Sequence, residues 1–240
     1  MRKRFRRALA FPFLGLLAVS LAAEPAAAQS GYCATYDLPP RFGTAAWVGP
    51  MTYQVRDVGG TKVLIVQGTI ENGEAARLAQ ALASAGVVEE VWLNSPGGTL
   101  TEGIAMGRLL RKKGLLTRVP NGAACASACT FAFLGGPIRI IDSDAYYGVH
   151  MFSNFFDHKN VSNFATAVTN LARSGQAEEL RRQLMLFEQS QAQLAADCAK
   201  FLIEMSASLD FLTGTFGQPQ TGMCYLSREG MTRYNVTNAT

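Results

Sequence analysis

Histidine is scarce in this 240-residue sequence: only His150 and His158 are present. No histidine stands close in sequence to any of the five cysteines, so no zinc site of mixed Cys/His spacing is expected. No metal or cofactor site is read elsewhere. Charge is sparse, at 17% of residues, but 48% are hydrophobic, and this excludes a disordered chain. After the first 28 residues no run is apolar and long enough to span a bilayer. Internal repeats are absent, and no low-complexity block follows the leader. Net positive charge is missing too, once the leader is set aside. The formal +4 comes from Arg2, Lys3, Arg4, Arg6 and Arg7 against Glu24; without these, 17 basic residues face 17 acidic ones. Nothing in that balance points to nucleic acid as a partner.

The leader has the parts of a secretory signal. RKRFRR is a basic start, Ala8 to Ala22 is a short apolar run, and Ala26-Ala27-Ala28 offers a cleavage site before Gln29. The expectation is a signal peptide over 1–28 and a periplasmic or secreted product with no membrane span after its removal. The cysteines would then meet an oxidising compartment. Cys33 can pair with Cys224 or Cys198, and Cys125 and Cys129 are expected to be buried free thiols.

Residues 29–60 read as an irregular arm, with short extended pieces at Trp47-Val48 and Tyr53 to Val58. KVLIVQGT, from Lys62, is a buried strand. Glu71 to Ala85 is a helix ending at Gly86, and Val87 to Asn94 a second strand. Leu100 to Lys113 is a helix stopped by Gly114, and Leu115 to Val119 a third strand. Ala123 to Leu134 reads as a buried helix; Ile138 to Ile141 and Ala145 to Met151 are further strands. Alternating strands and helices predict an α/β fold of repeated β-α crossover units over 61–240. Ligands gather at the C-terminal strand ends of such folds. From 160 to 212 the pattern turns helical. Leu184, Phe187, Leu194, Cys198 and Leu202 form a stripe expected to pack on the core or on another subunit. Ser227 is the N-cap of a last helix.

Acyl transfer by serine needs a hydroxyl near a base, and N–H groups aimed at the developing oxyanion. Ser127 lies in Cys-Ala-Ser-Ala-Cys, among small residues that admit a substrate chain. His150 follows at a strand end and is the candidate base. The N–H of Ala128, just after the serine, and of Gly98, in Ser95-Pro96-Gly97-Gly98, are the candidate oxyanion donors. Lys159 and His158 lie in a polar turn and are read as solvated.

The run LNSPGG…GAACASAC…FLGG…GVHMF resembles the ClpP-like serine peptidase superfamily, and looks closest to its exported bacterial members. The resemblance extends from about Val63 to Asn238. It implies a ClpP/crotonase-like fold with a C-terminal helical region. Ser127 would be the nucleophile, His150 the base, and Gly98 and Ala128 the oxyanion donors. It also implies a peptide or unfolded-protein substrate and a homo-oligomer built on trimers; export, away from an ATP supply, means hydrolysis without an ATP-driven partner. In ClpP peptidases an acid stands just before the last helix, a few positions ahead of a Leu-Ser pair. Matching Leu226-Ser227 puts Met223 there. Asp210 or Asp197 can serve instead, a Ser-His dyad can work alone, or the chain is a binding or assembly protein that has lost the chemistry. A crotonase-type acyl-CoA enzyme would use the same Gly98 oxyanion donor, but export separates it from the CoA pool.

Overall fold

The computed structural model describes residues 32–39, 42, 45–153, 158–218 and 222–239. The leader, its cleavage site and the His158 side chain lie outside the described residues. The fold class is the expected one: α/β, with crossover units followed by helices.

A five-stranded sheet carries the first half of the chain. It is built from β2 (Thr52–Val58), β3 (Thr61–Gln67), β4 (Glu90–Asn94), β5 (Leu116–Val119) and β7 (Arg139–Ile141), in that order. From β3 onward the neighbours are parallel, while β2 pairs antiparallel with β3 along its whole length. The extended piece of the arm is therefore an edge strand of the main sheet. Trp47-Val48, expected to be extended, belongs instead to a short helix, α1 (Ala45–Val48).

The crossovers are helical. α2 (Glu74–Ala85) joins β3 to β4 and turns Leu78 and Leu82 inward. α3 (Leu100–Lys113) joins β4 to β5 and has the bounds its sequence predicts. Gly114 closes it in the left-handed conformation, donating to the Arg111 and Leu110 carbonyls.

The second sheet has the order β1-β9-β8-β6, from β1 (Cys33–Thr35), β9 (Cys224–Leu226), β8 (Tyr146–Val149) and β6 (Ala124–Ala126). β6 and β8 run parallel; β9 runs antiparallel to β8 and β1. An isolated parallel bridge, Ser95 to Cys125, stitches the end of β4 to β6.

Ala123 to Leu134 is not one helix. It divides into β6 and α4 (Ala128–Leu134), with Ser127 alone between them. A run of small apolar residues suits strand or helix, and pairing with β8 decides for strand up to Ala126. α4 then packs very close to α3: a Cβ on Gly103 would lie 2.3 Å from the Ala128 carbonyl oxygen, and one on Gly107 2.5 Å from that of Phe131.

Two disulfides close the fold. Cys33–Cys224 joins β1 to β9 across 191 residues. Cys125–Cys129 spans four residues, correcting the expectation of two free thiols. The residues are not on one helical face: Cys125 is in β6 and Cys129 in α4, and the reversal at Ser127 brings their Cα atoms within 5.3 Å. In the loop-entropy account, the long loop is worth about 5 kcal/mol and the short one about 2 kcal/mol. Cys198 is the remaining free thiol, buried in the core.

α5 (His158–Arg173) and α6 (Ala177–Glu204) form a helical hairpin, followed by α7 (Leu209–Phe216). The stripe on α6 splits. Its C-terminal half, with Cys198, Phe201 and Leu202, is buried. Its N-terminal half meets α5, where Phe187 faces Phe164 with ring centroids 5.5 Å apart, and leaves Leu184 and Met185 exposed. α8 (Arg228–Arg233) starts at Ser227, whose hydroxyl accepts from the Gly230 N–H at 3.0 Å, as expected of an N-cap. The C-terminal residues are held by Arg139, 1% exposed, whose guanidinium donates to the Val236 and Asn235 carbonyls at 2.8 Å each. No described helix is long and apolar enough to cross a membrane.

Candidate active site

Ser127 sits where β6 ends and α4 begins. Its backbone has φ 54° and ψ −125°, a conformation unfavourable for any residue with a side chain. Holding it costs about 1–3 kcal/mol. Several bonds fix it there. The Ser127 N–H donates to the Gly148 carbonyl at 2.9 Å, and its own carbonyl accepts from the Thr130 N–H at 2.9 Å and the Thr130 hydroxyl at 2.6 Å. Thr130 is in turn fixed by Tyr147, whose buried hydroxyl donates to the Thr130 carbonyl at 3.1 Å.

The Ser127 hydroxyl does not cap α4. It lies 2.8 Å from His150 Nε2. The two residues expected from sequence as nucleophile and base are thus within hydrogen-bond reach. Register explains this: Ala126 pairs with Gly148 across the parallel β6–β8 ladder, so the chain leaves both strands at the same end, Ser127 one residue past Ala126 and His150 two residues past Gly148. His150 is half-buried, and desolvation holds its pKa below 6.5; a hydrogen bond with the Met151 main chain acts in the opposite direction.

The Ser95–Gly98 turn is clamped on two sides. Ser95 is fully buried; its N–H donates to the Ala124 carbonyl at 2.8 Å, and its carbonyl accepts from the Ala126 N–H at 2.9 Å. Its hydroxyl accepts from the Gly97 N–H at 3.1 Å. Opposite, the Gly97 carbonyl accepts from the Ile70 N–H and the Thr99 N–H donates to the Ile70 carbonyl, each at 2.8 Å. Gly98 is bridged to Ile70 through these two flanking groups, so its own N–H points to the other edge. Gly97 lies directly against the serine turn. A Cβ there would stand 2.7 Å from Ser127 Cβ and 2.8 Å from the Ala128 nitrogen. The sequence points to Gly98 as the glycine whose backbone must come close. Gly97 has the same need, and the Gly-Gly pair was the only signal for it.

A cavity of about 770 Å³ opens over Ser127, Gly98, Ala128 and His150. Phe131, Phe152, Leu194 and Phe216 are among its apolar walls, so α6 contributes a wall as well as the α/β body. The described lining contains no carboxylate. Met223, at the position matched to the ClpP acid, is part of it and lies against Gly148. The two alternative acids, Asp210 and Asp197, are both exposed, and Asp197 accepts from Gln193 at 3.1 Å. Lys159 is exposed on α5 and is not among the lining residues. Among the described residues, no group of three or more His, Cys, Asp or Glu side chains is placed to hold a metal ion.

No protein-family model matches the chain, and no curated protein is similar to it. Several solved structures resemble it in shape. A Ser-to-Ala mutant of 1510-N, a membrane-bound stomatin-specific protease, is 14% identical with a TM-score of 0.44, covering 73% of this chain and 75% of that one. An Asn-to-Asp mutant of ClpP1 from Listeria monocytogenes is 15% identical with a TM-score of 0.44, covering 73% and 88%. An enoyl-CoA hydratase from Thermoplasma volcanium is 13% identical with a TM-score of 0.34, covering 41% and 51%.

Proposed function

We propose that this chain is an exported ClpP-like serine hydrolase, a peptidase that cleaves peptides or unfolded protein without ATP. The observation that carries the reading is the 2.8 Å approach of Ser127 Oγ to His150 Nε2, at a strained turn where the hydroxyl does not cap the helix that follows. Strain of that kind is retained where a site needs it.

In this reading His150, neutral because burial disfavours its charged form, takes the proton from Ser127 Oγ. The oxygen attacks the scissile carbonyl carbon. The carbonyl oxygen becomes an anion, met by the N–H groups of Ala128 and Gly98. The tetrahedral intermediate collapses as His150 returns the proton to the leaving amine, and an acyl-Ser127 ester remains. Water, deprotonated by His150, then releases the acid. With Met223 in the cavity wall and no carboxylate among the described lining residues, the reading rests on the Ser127–His150 pair; where a triad loses its orienting acid, turnover falls by about 10⁴.

The leader and the two disulfides support export to an oxidising compartment. No ATP is at hand there, so an ATP-driven unfoldase partner is not part of the reading. Assembly into a trimer-based homo-oligomer is the companion proposal, supported by the exposed Leu184 and Met185 on the hairpin.

One observation favours a second reading. The lack of a carboxylate among the described lining residues also suits a protein that keeps the fold for binding or assembly. Incubation with an unfolded protein substrate in the absence of ATP separates the two. The peptidase reading expects fragments that Ser127→Ala abolishes; the binding reading expects intact substrate with both proteins.

A further inference from the structure

The Cys125–Cys129 disulfide encloses the serine turn. Its two ends stand two residues to either side of Ser127, one at the middle of β6 and one in the first turn of α4. Ser127 is the only residue between strand and helix, and its φ of 54° is unfavourable. A loop this short constrains the unfolded chain little compared with Cys33–Cys224, so global stability is not its main consequence. Both sulfurs belong to residues with no solvent exposure, which makes them poor partners for thiol exchange. What the bond does constrain is the angle between β6 and α4, and with it the position of the Ser127 side chain and the Ala128 N–H. The tolerance is small, since Gly97 leaves no room for even a methyl group beside them.

We propose that Cys125 and Cys129 are positioning residues for Ser127: their disulfide locks the strand-to-helix turn in the conformation that sets the hydroxyl on His150. The proposal rests on the serine-hydrolase reading for its consequence in catalysis, but its structural content stands apart from it.

The experiment uses the full chain in three forms: unmodified, Cys125→Ala/Cys129→Ala, and Cys33→Ser/Cys224→Ser. Amide hydrogen exchange is followed in peptides covering 121–136, well below the melting temperature of each form, and fluorophosphonate labelling of Ser127 is timed in parallel. Loss of Cys125–Cys129 should speed exchange within 121–136 at least tenfold and slow labelling at least tenfold. Loss of Cys33–Cys224 should lower the melting temperature more, yet leave exchange in that segment and the labelling rate within twofold. Unchanged exchange in 121–136 after removal of Cys125–Cys129 overturns the proposal, as does an equal slowing by both double variants. If the unmodified chain takes no label at all, the hydrolase reading fails, and exchange alone still decides whether the disulfide holds the turn.

Discussion

The main-chain N–H of Ser127 donates to the carbonyl of Gly148, two residues before His150, at 2.9 Å. This bond extends the β6–β8 ladder by one step past Ala126. It fixes the separation of nucleophile and base through the backbone, before either side chain is considered. The 2.8 Å contact between Ser127 Oγ and His150 Nε2 is a consequence of sheet register, not of a loop settling by chance.

The strain at Ser127 can be measured by releasing it. Ser127→Ala keeps a side chain at φ 54°, whereas Ser127→Gly removes the steric penalty. Both should lose acylation. By thermal or urea unfolding, the glycine variant should be more stable than the alanine variant by about 1 kcal/mol. Equal stability would mean that the turn carries no strain.

His150 sets the pH dependence. Its pKa is lowered in the fold by desolvation, so the neutral, proton-accepting ring persists below pH 6.5. The acylation rate should rise with pH along a limb centred below 6.5, then level off. Stability follows the same sign. A neutral ring preferred in the fold contributes fully above the unfolded value near 6.5, and the contribution is lost as pH falls toward the folded pKa. Rate and melting temperature, each recorded from pH 4 to 8, check both limbs.

Gly97 tests the packing of the two loops. In Gly97→Ala the new methyl would meet the Ala126 carbonyl oxygen at 2.5 Å and the Ala128 nitrogen at 2.8 Å, all backbone, at φ 95°. The turn must move away from Ser127. Labelling should fall by about 100-fold or more, since misplacement of about 1 Å is enough for such a loss. Labelling within a few-fold of the unmodified chain would show that the two loops are not tightly coupled.

The cysteines give a count. The native protein should show no thiol reactive to a water-soluble reagent, because Cys198 is buried and desolvation pushes its pKa up to about 12. Denaturation without reductant should release one thiol per chain, and reduction four more. Three thiols on denaturation alone would mean that one disulfide is absent.

Much of this was legible in the chain itself. α3 is bounded as read, because its apolar spacing and Gly114 are unambiguous signals. Ser127 and His150 stood out as the serine between small residues and one of only two histidines. What misled was degeneracy. Ala123 to Leu134 is small and apolar throughout, so nothing local separates strand from helix, and the break at Ser127 is set by tertiary pairing with β8. The same error hid the Cys125–Cys129 bond, since a spacing of four reads as one helical turn. The stripe on α6 has one period along its length but two environments, core at Leu202 and hairpin at Phe187. Periodicity alone does not say what a face will meet.

Reaction of the purified chain with a fluorophosphonate, followed by mass mapping of the adduct, tests the central claim most directly. The account predicts a single adduct on Ser127, lost in Ser127→Ala and strongly slowed in His150→Ala. An unlabelled chain, or equal labelling of unmodified protein and Ser127→Ala, would contradict it.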